Sequence, residues 1–302
     1  MLLFDIKRYA INDGPGIRVT IFMKGCPLAC VWCHNPEGIS PRAEKLYTRK
    51  KCIGCGACVD VCPTGALTLT EAGIVTNRSL CRTCGRCAEV CPTLAMEMSG
   101  REYSIDEVMR EIEKETVFMD RSEGGVTFCG GRAVVASIGF GCPAGSLRSV
   151  GNPSCGGYDL VRLADTVRSV MERTDLFLVG FKGIWIPDSH RRFTGVPNER
   201  ILSNLRMIAE AGIDFLIRVP LIEGVNADEE NIFRSATFLA SLPWKRKVVN
   251  LLPYHDIGKG KHDKRGTLYN PGHLPLSTPS EAVLQRCIDQ FASCGITALI
   301  GG

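Results

Sequence analysis

Two hydrophobic rhythms divide the chain, and its last third alternates between them. Glu199 to Glu210 carries Ile201, Leu202, Leu205 and Ile208 on one face at helical spacing and closes at Gly212. Phe215 to Ile222 reads as a strand emerging into Gly224-Val225-Asn226. Asp228 to Leu242 reads as a helix, and Lys247 to Leu252 as a strand ending at Pro253-Tyr254-His255. A helix over Ser280 to Cys294 and a strand over Ile296 to Ile300 follow. Upstream, Val19 to Met23 is a buried strand with Lys24-Gly25 as its exit turn. Ser104 caps a helix with Glu107 three residues on, and Ile105, Val108, Met109 and Ile112 form its apolar face. Gly124 to Gly131 reads as a short buried strand ending in glycines, Asp165 to Arg173 as a helix and Leu176 to Val179 as a strand. Strand–helix alternation with polar residues at strand exits predicts an α/β fold, an open parallel (β/α)6 partial barrel.

The rhythm lapses twice. Residues 38–50 are a polar connection, after which composition changes sharply. Residues 42–100 are predicted to be an inserted domain, so that 1–41 and 101–302 form the partial barrel. The second lapse runs from Gly124 to Tyr158, which holds no acidic residue and loses all period through Phe140 to Ser146. The run from His262 to Arg265 reads as a solvated loop.

Composition adds the cysteines. The chain has 302 residues, an apolar fraction of 45% and a net charge of +4, ordinary for a globular protein. No run of five basic residues appears, so neither nucleic acid nor a membrane surface is indicated as a partner. Charge comes too early at the amino terminus for a signal peptide, and no apolar run reaches the ~18 residues that span a bilayer; a cytoplasmic location is expected. Sixteen cysteines in such a chain argue for metal or redox chemistry over disulfides.

Cys26, Cys30 and Cys33 stand at C-x3-C-x2-C spacing directly after the strand Val19 to Met23. Three thiolates can hold three irons of a 4Fe–4S cluster and leave the fourth open to a small molecule, which makes the cluster reactive. A zinc loop or three unrelated buried cysteines is the bland reading. In the insert, Cys52, Cys55, Cys58 and Cys62-Pro63 form a C-x2-C-x2-C-x3-C-P run that recurs as Cys81, Cys84, Cys87 and Cys91-Pro92. This is the two-cluster bacterial ferredoxin pattern, in which the fourth cysteine of each run serves the other cluster. One 4Fe–4S cluster should take Cys52, Cys55, Cys58 and Cys91, and the other Cys81, Cys84, Cys87 and Cys62. A zinc ribbon would explain neither the third and fourth cysteines nor the prolines.

Asp13-Gly14-Pro15-Gly16-Ile17-Arg18 before the first cysteines and Trp32-Cys33-His34-Asn35-Pro36-Glu37 after them resemble the radical S-adenosylmethionine superfamily. More narrowly they resemble the activating enzymes of glycyl radical enzymes, of the type with an inserted two-cluster ferredoxin domain. The resemblance implies three 4Fe–4S clusters and S-adenosylmethionine as cofactors. It implies anaerobic chemistry at the Cys26/Cys30/Cys33 cluster, where the cofactor would be cleaved to install a glycyl radical. The partners implied are a glycyl radical enzyme, whose glycine loop is the substrate, and a low-potential electron donor such as flavodoxin or ferredoxin. Trp32, Cys33, His34, Gly130, Gly131, Lys182, Arg218 and His255 are its cofactor-binding candidates. Trp32 could equally be core, and Arg218 an ordinary ion pair at a strand end. In the family the Asp13–Gly16 segment helps face the partner, and Arg18 is either a polar contact or strand surface.

The family pattern fails at two places. Gly-Gly-Glu-Pro is expected where Gly130-Gly131-Arg132-Ala133 stands, and Asp-Leu-Lys where Gly180-Phe181-Lys182 stands. The 132–162 stretch is either a glycine-rich loop with new ligands in Cys142 and Cys155, or an out-of-frame translation restored near Leu163; length kept while pattern is lost favours the second. Two alternatives to a working activase follow: a catalytically impaired copy, or an iron–sulfur electron carrier. A carrier would have no use for the C-terminal α/β half.

Overall fold

The computed structural model describes residues 1–130, 149–152, 159–161, 164–171 and 174–301. Gly131, Arg132, Ala133, Cys142 and Cys155 lie outside them, with most of the anomalous 132–162 stretch.

One open nine-stranded sheet organises the chain. Its strands are β1 (Leu2–Ala10), β2 (Arg18–Met23), β7 (Arg101–Glu102), β8 (Gly125–Gly130), β9 (Ser149–Asn152), β10 (Leu176–Gly180), β11 (Phe215–Leu221), β12 (Val248–Pro253) and β13 (Thr297–Ile300). They lie in the order β13-β12-β11-β10-β9-β8-β2-β1-β7. From β2 to β13 every neighbouring pair is parallel and in chain order, while β1 runs antiparallel to β2 and to β7. Parallel neighbours need crossovers, and helices supply them. Among these are Ile105–Glu113, Glu199–Glu210, Glu229–Ser241 and Glu281–Ser293, within a residue or two of their expected bounds. The capping box forms as expected, with Ser104 Oγ accepting from Glu107 N at 3.1 Å and Glu107 Oε2 from Ser104 N at 2.8 Å.

Burial follows from this layering. Every residue of β2, β8 and β10 is buried, as in strands covered on both faces. β11 alternates instead: Phe215, Ile217, Val219 and Leu221 join the main core with Ile201, Leu205 and Ile208, while Arg218 and Pro220 face the other way. β1 had no counterpart among the expected strands. Its charges Asp5, Lys7 and Arg8 mask the period, and they are tolerated because it lies one strand from the sheet's edge.

The cysteine-rich segment runs from the loop after β2 to β7. Between them lie two small antiparallel sheets, β3 (Glu44–Tyr47) with β6 (Met96–Ser99) and β4 (Leu67–Thr70) with β5 (Gly73–Thr76). A buried ion network ties it to the sheet. Lys24, fully buried just past β2, donates to Glu37 O at 2.7 Å and to Glu44 Oε2 at 3.0 Å. Arg265 donates from Nη2 to the other oxygen of Glu44 at 2.8 Å. The expected solvated loop at 262–265 is therefore corrected. It belongs to the helix Lys259–Arg265, with His262 buried and Arg265 drawn inward by Glu44.

Of the two readings of Arg18, the polar contact holds. It is not strand surface but 1% exposed, donating from Nε to Thr127 Oγ1 (2.7 Å), from Nη1 to Pro15 O (2.8 Å) and from Nη2 to Val126 O (3.1 Å). Burial lowers its pKa to about 10, against the opposing pull of Asp175 and Asp13. It fixes the Asp13–Gly16 turn against β8.

Close backbone approach sets one strict requirement. A Cβ on Gly124 would lie 1.8 Å from Ile17 O, whereas Gly260, exposed in the helix Lys259–Arg265, has nothing within 4 Å. Gly124→Ala should therefore destabilise the protein by about 3 kcal/mol. Gly260→Ala should stabilise it by ~0.5–1 kcal/mol, since alanine is the better helix former. Thermal unfolding of both variants reads the two signs, and shifts of the same sign would contradict the packing described.

Candidate active site

The three-cysteine loop follows β2 and is laced down by backbone bonds. Gly25 N and Cys26 N both donate to Gly38 O at 2.8 Å, and Cys33 N to Cys30 O at 3.0 Å. Ala29 N donates to Thr194 O at 2.8 Å and Val31 N to Phe193 O at 3.0 Å, joining the loop to the end of the helix Pro187–Thr194. Cys26 and Cys30 are buried and pack with Leu28, Trp32, Ile184, Ile222 and Val225. Burial pushes all three thiols up, Cys33 to about 12. Neighbouring Cys30 adds to the rise at Cys26 and Cys33, and the Lys182 ammonium opposes it at all three. Such thiols stay protonated by themselves, and a metal centre displaces the protons to gain its thiolate ligands.

Beside the loop opens a cavity of about 280 Å³. Cys30, Trp32, Cys33 and His34 form one wall. The carboxyl ends of β10, β11 and β12 form the other through Gly180, Lys182, Arg218, Pro220 and Pro253 to His255. This is where parallel α/β sheets keep their ligands. The structure thus brings Trp32, Cys33, His34, Lys182, Arg218 and His255 to one cavity. Gly130 is not part of its described lining. It ends β8 at φ +100°, where a Cβ would fall 2.2 Å from Met23 O, so its observed role is close pairing with β2.

Polar geometry sharpens the candidates. The rings of His34 and His255 stack with centroids 4.2 Å apart, and His34 Nε2 lies 3.1 Å from His255 O. Burial lowers the His34 pKa, helped by His255 beside it, so the ring favours its neutral form. Arg218 is half ion pair and half cavity wall: it bonds Asn12 O, has Nη1 3.9 Å from Asp13 Oδ1, and lines the cavity. Trp32 is likewise both, 5% exposed in the loop's core and on the wall. Gly180 offers no side chain, and the carboxylate lining the cavity is Asp13, which also accepts from Thr20 Oγ1 at 2.9 Å.

The insert forms two small hollows. One is lined by Cys52, Cys55, Cys58 and Cys91, the other by Cys62, Cys81, Cys84 and Cys87. Each therefore borrows its fourth cysteine from the other run. Among the described residues no three Cys, His, Asp or Glu side chains converge as the ligands of one metal ion do. Thiolates at a four-iron cluster each meet a different iron and stand farther apart.

Comparison with known proteins agrees with this donor set. Residues 51–95 match a 4Fe-4S dicluster domain, and residues 12–58 a 4Fe-4S single cluster domain. The chain is 39% identical to a trans-4-hydroxy-L-proline dehydratase activating enzyme of Clostridioides difficile, covering 100% of this chain and 99% of that one. The chain belongs to the glycyl radical enzyme activating enzymes. Other members of the family are similar over the same span. A (2S)-3-sulfopropanediol dehydratase activating enzyme of Klebsiella oxytoca is 33% identical over 99% of this chain and 96% of its own length. A choline trimethylamine-lyase activating enzyme of Oleidesulfovibrio alaskensis is 36% identical over 96% and 95%.

As a glycyl radical enzyme activating enzyme, the protein is a radical S-adenosylmethionine enzyme that uses iron–sulfur clusters and S-adenosylmethionine and acts on a glycyl radical enzyme. This reading prevails over the carrier and the impaired copy. No helix among the described residues is long and apolar enough to cross a membrane.

Sequence reasoning missed one organiser of this activase's site. Asn226 is buried; its Oδ1 accepts from Ile222 N (2.8 Å), and its Nδ2 donates to Lys182 O (2.6 Å) and Pro220 O (2.7 Å). It clamps three cavity-lining positions at the ends of β10 and β11. The signal was present in Gly224-Val225-Asn226, since an asparagine just past a strand can stand in for backbone. Asn226→Asp keeps the acceptor but turns a carboxylate toward two carbonyls. It should cost about 2–4 kcal/mol and weaken S-adenosylmethionine binding in parallel. Thermal unfolding and equilibrium dialysis check both; unchanged affinity in a folded variant would separate Asn226 from the site.

Proposed function

We propose that the main sheet is an open (β/α)6 partial barrel formed by residues 1–41 and 101–302. Residues 42–100 are its ferredoxin-like insert, and the protein works with three 4Fe–4S clusters. The observation that carries this reading is the partition of the insert's eight cysteines into two crossed hollows, beside a third set of three in which Cys26 and Cys30 are buried and Cys30 and Cys33 line a cavity. Cys26, Cys30 and Cys33 would hold three irons and leave the fourth open toward that cavity. Cys52, Cys55, Cys58 and Cys91 would hold a second cluster, and Cys62, Cys81, Cys84 and Cys87 a third.

Bound S-adenosylmethionine would supply, on one-electron reduction, the radical chemistry that removes a hydrogen atom from the partner's glycine. The protein's own groups bind and orient. Arg218, partly neutralised by Asp13, presents its guanidinium to the cofactor's carboxylate. Trp32 offers an apolar face to the adenine. The stacked pair His34 and His255 borders the adenosyl group, and Lys182 adds positive charge beside the thiolates. Gly130 and Gly131 contribute backbone where β8 ends. The electron comes from a low-potential carrier of the flavodoxin or ferredoxin kind, acting in the cytoplasm.

Anaerobic reconstitution with iron and sulfide tests this. Wild-type protein should bind iron for three clusters and, with dithionite and S-adenosylmethionine, release 5′-deoxyadenosine. Cys30→Ala should keep the insert's share of the iron and release none. Arg218→Met should raise the Kd for S-adenosylmethionine about tenfold or more, the loss of one charge-assisted contact. Iron for a single cluster, or 5′-deoxyadenosine from Cys30→Ala, would overturn the assignment.

A further inference from the structure

The insert's two cysteine runs repeat with a period of 29 (Cys52 to Cys81), yet their hollows differ in charge. β3 and β6 pair with Lys45 opposite Met98 and Tyr47 opposite Met96. Lys45 and Met98 wall the hollow of Cys62, Cys81, Cys84 and Cys87; Tyr47 and Met96 wall that of Cys52, Cys55, Cys58 and Cys91. Residues two apart on a strand share a face. One strand therefore gives an ammonium to one hollow and a phenol to the other. Among the described residues no Lys, Arg, Asp or Glu lines the first hollow, while the second has Lys45, Arg82 and Arg86.

Lys45 dominates that contrast. Arg82 and Arg86 are exposed and screened by water. Lys45 is half-buried, its ammonium held by Thr76 Oγ1 on β5 and 4.0 Å from Met96 Sδ. It lines the second hollow with Cys81, Cys84 and Cys87, and the crevice beside Cys81. The Tyr47 hydroxyl, which accepts from Ile74 N at 3.0 Å and meets Cys52, offers its cluster only a dipole. Net charge beside a cluster is among the determinants of its potential, with hydrogen bonds to the sulfurs and solvent exposure.

We propose that Lys45 makes the two insert clusters unequal, stabilising the added electron on the one held by Cys62, Cys81, Cys84 and Cys87, so that this cluster is reduced first. The inference rests on the reading that both hollows hold 4Fe–4S clusters. Each takes one electron, with no proton, from an external low-potential one-electron donor. The hollow of the favoured cluster also borders the C-terminal half of the chain through Cys81. Cys81 and Lys45 line a crevice of about 580 Å³ whose far wall is residues 263–266, at the end of the helix Lys259–Arg265. Gly258, capping the start of that helix, lies against the backbone of Cys33. Lys45 thus parks the electron on the side facing the three-cysteine loop.

Redox titration of the reconstituted full chain, followed by electron paramagnetic resonance, tests this. Cys55→Ala and Cys84→Ala identify which wave belongs to which hollow. Wild type should show the Cys84 wave at the higher potential. Lys45→Met should lower that wave by at least a tenfold change in its redox equilibrium, 59 mV for a one-electron couple, and move the Cys55 wave less. Lys45→Arg should hold the wave near wild type, as a merely structural role would not require. Thr76→Val, which frees the ammonium without removing it, should shift the wave the same way by less, and serves if Lys45→Met fails to assemble. Waves that stay put, or move together, would overturn the proposal. Iron assay of wild type separates that failure from failure of the cluster reading, which would show as too little iron.

Discussion

Glu44 is the carboxylate on which the arrangement of the chain depends. Lys24, fully buried, and Arg265, partly buried, bring two cations to its two oxygens, from the end of β2 and from the helix Lys259–Arg265. Removing one partner of such a group leaves an uncompensated charge out of water, which costs far more than the pairing contributes. The insert is therefore not a bead on a linker. Its first strand begins at the residue that neutralises the sheet's buried lysine, and its second and fourth residues, Lys45 and Tyr47, are by that fact aimed at the two cysteine hollows. Orientation of the insert and electrostatics of its clusters come from one short strand.

A second constraint shapes the sheet. Seven parallel strands in chain order put all their carboxyl ends on one side. The three-cysteine loop, the Gly180–Lys182 exit, the Asn226-clamped end of β11 and the Pro253-Tyr254-His255 exit thus meet without any long-range design beyond strand order. Asn226 then does with one side chain what a backbone ladder cannot do past the strand ends.

The late α/β half was legible because its apolar periods are clean: Glu199–Glu210 and the capping box at Ser104 lie where propensity and pattern agree. The metal-ligand spacing was legible because thiolate chemistry tolerates few alternatives, and the crossed use of Cys62 and Cys91 matches the lining of the hollows. What escaped were charges drawn wholly or partly out of water. Arg18, Lys24 and Arg265 look like surface in a sequence, because burial of a cation depends on partners distant in the chain, here Thr127, Val126 and Glu44. β1 escaped for the converse reason, its charges hiding a strand that needs only one covered face. Gly130 was expected at the cofactor, and close pairing with β2 gives it a second reason to be glycine, since a Cβ there would lie 2.2 Å from Met23 O.

The crossing of the cysteine runs also sets an order in time. A ribosome delivers Cys52, Cys55 and Cys58 first, yet their hollow lacks its fourth wall until Cys91 emerges, after Cys87 has already completed the set of the second hollow. The hollow begun first is finished last. A chain halted between the runs carries Cys52, Cys55, Cys58 and Cys62, three thiols of one hollow and one of the other, with neither set complete. Duplicated in sequence, the two halves are one indivisible unit in assembly.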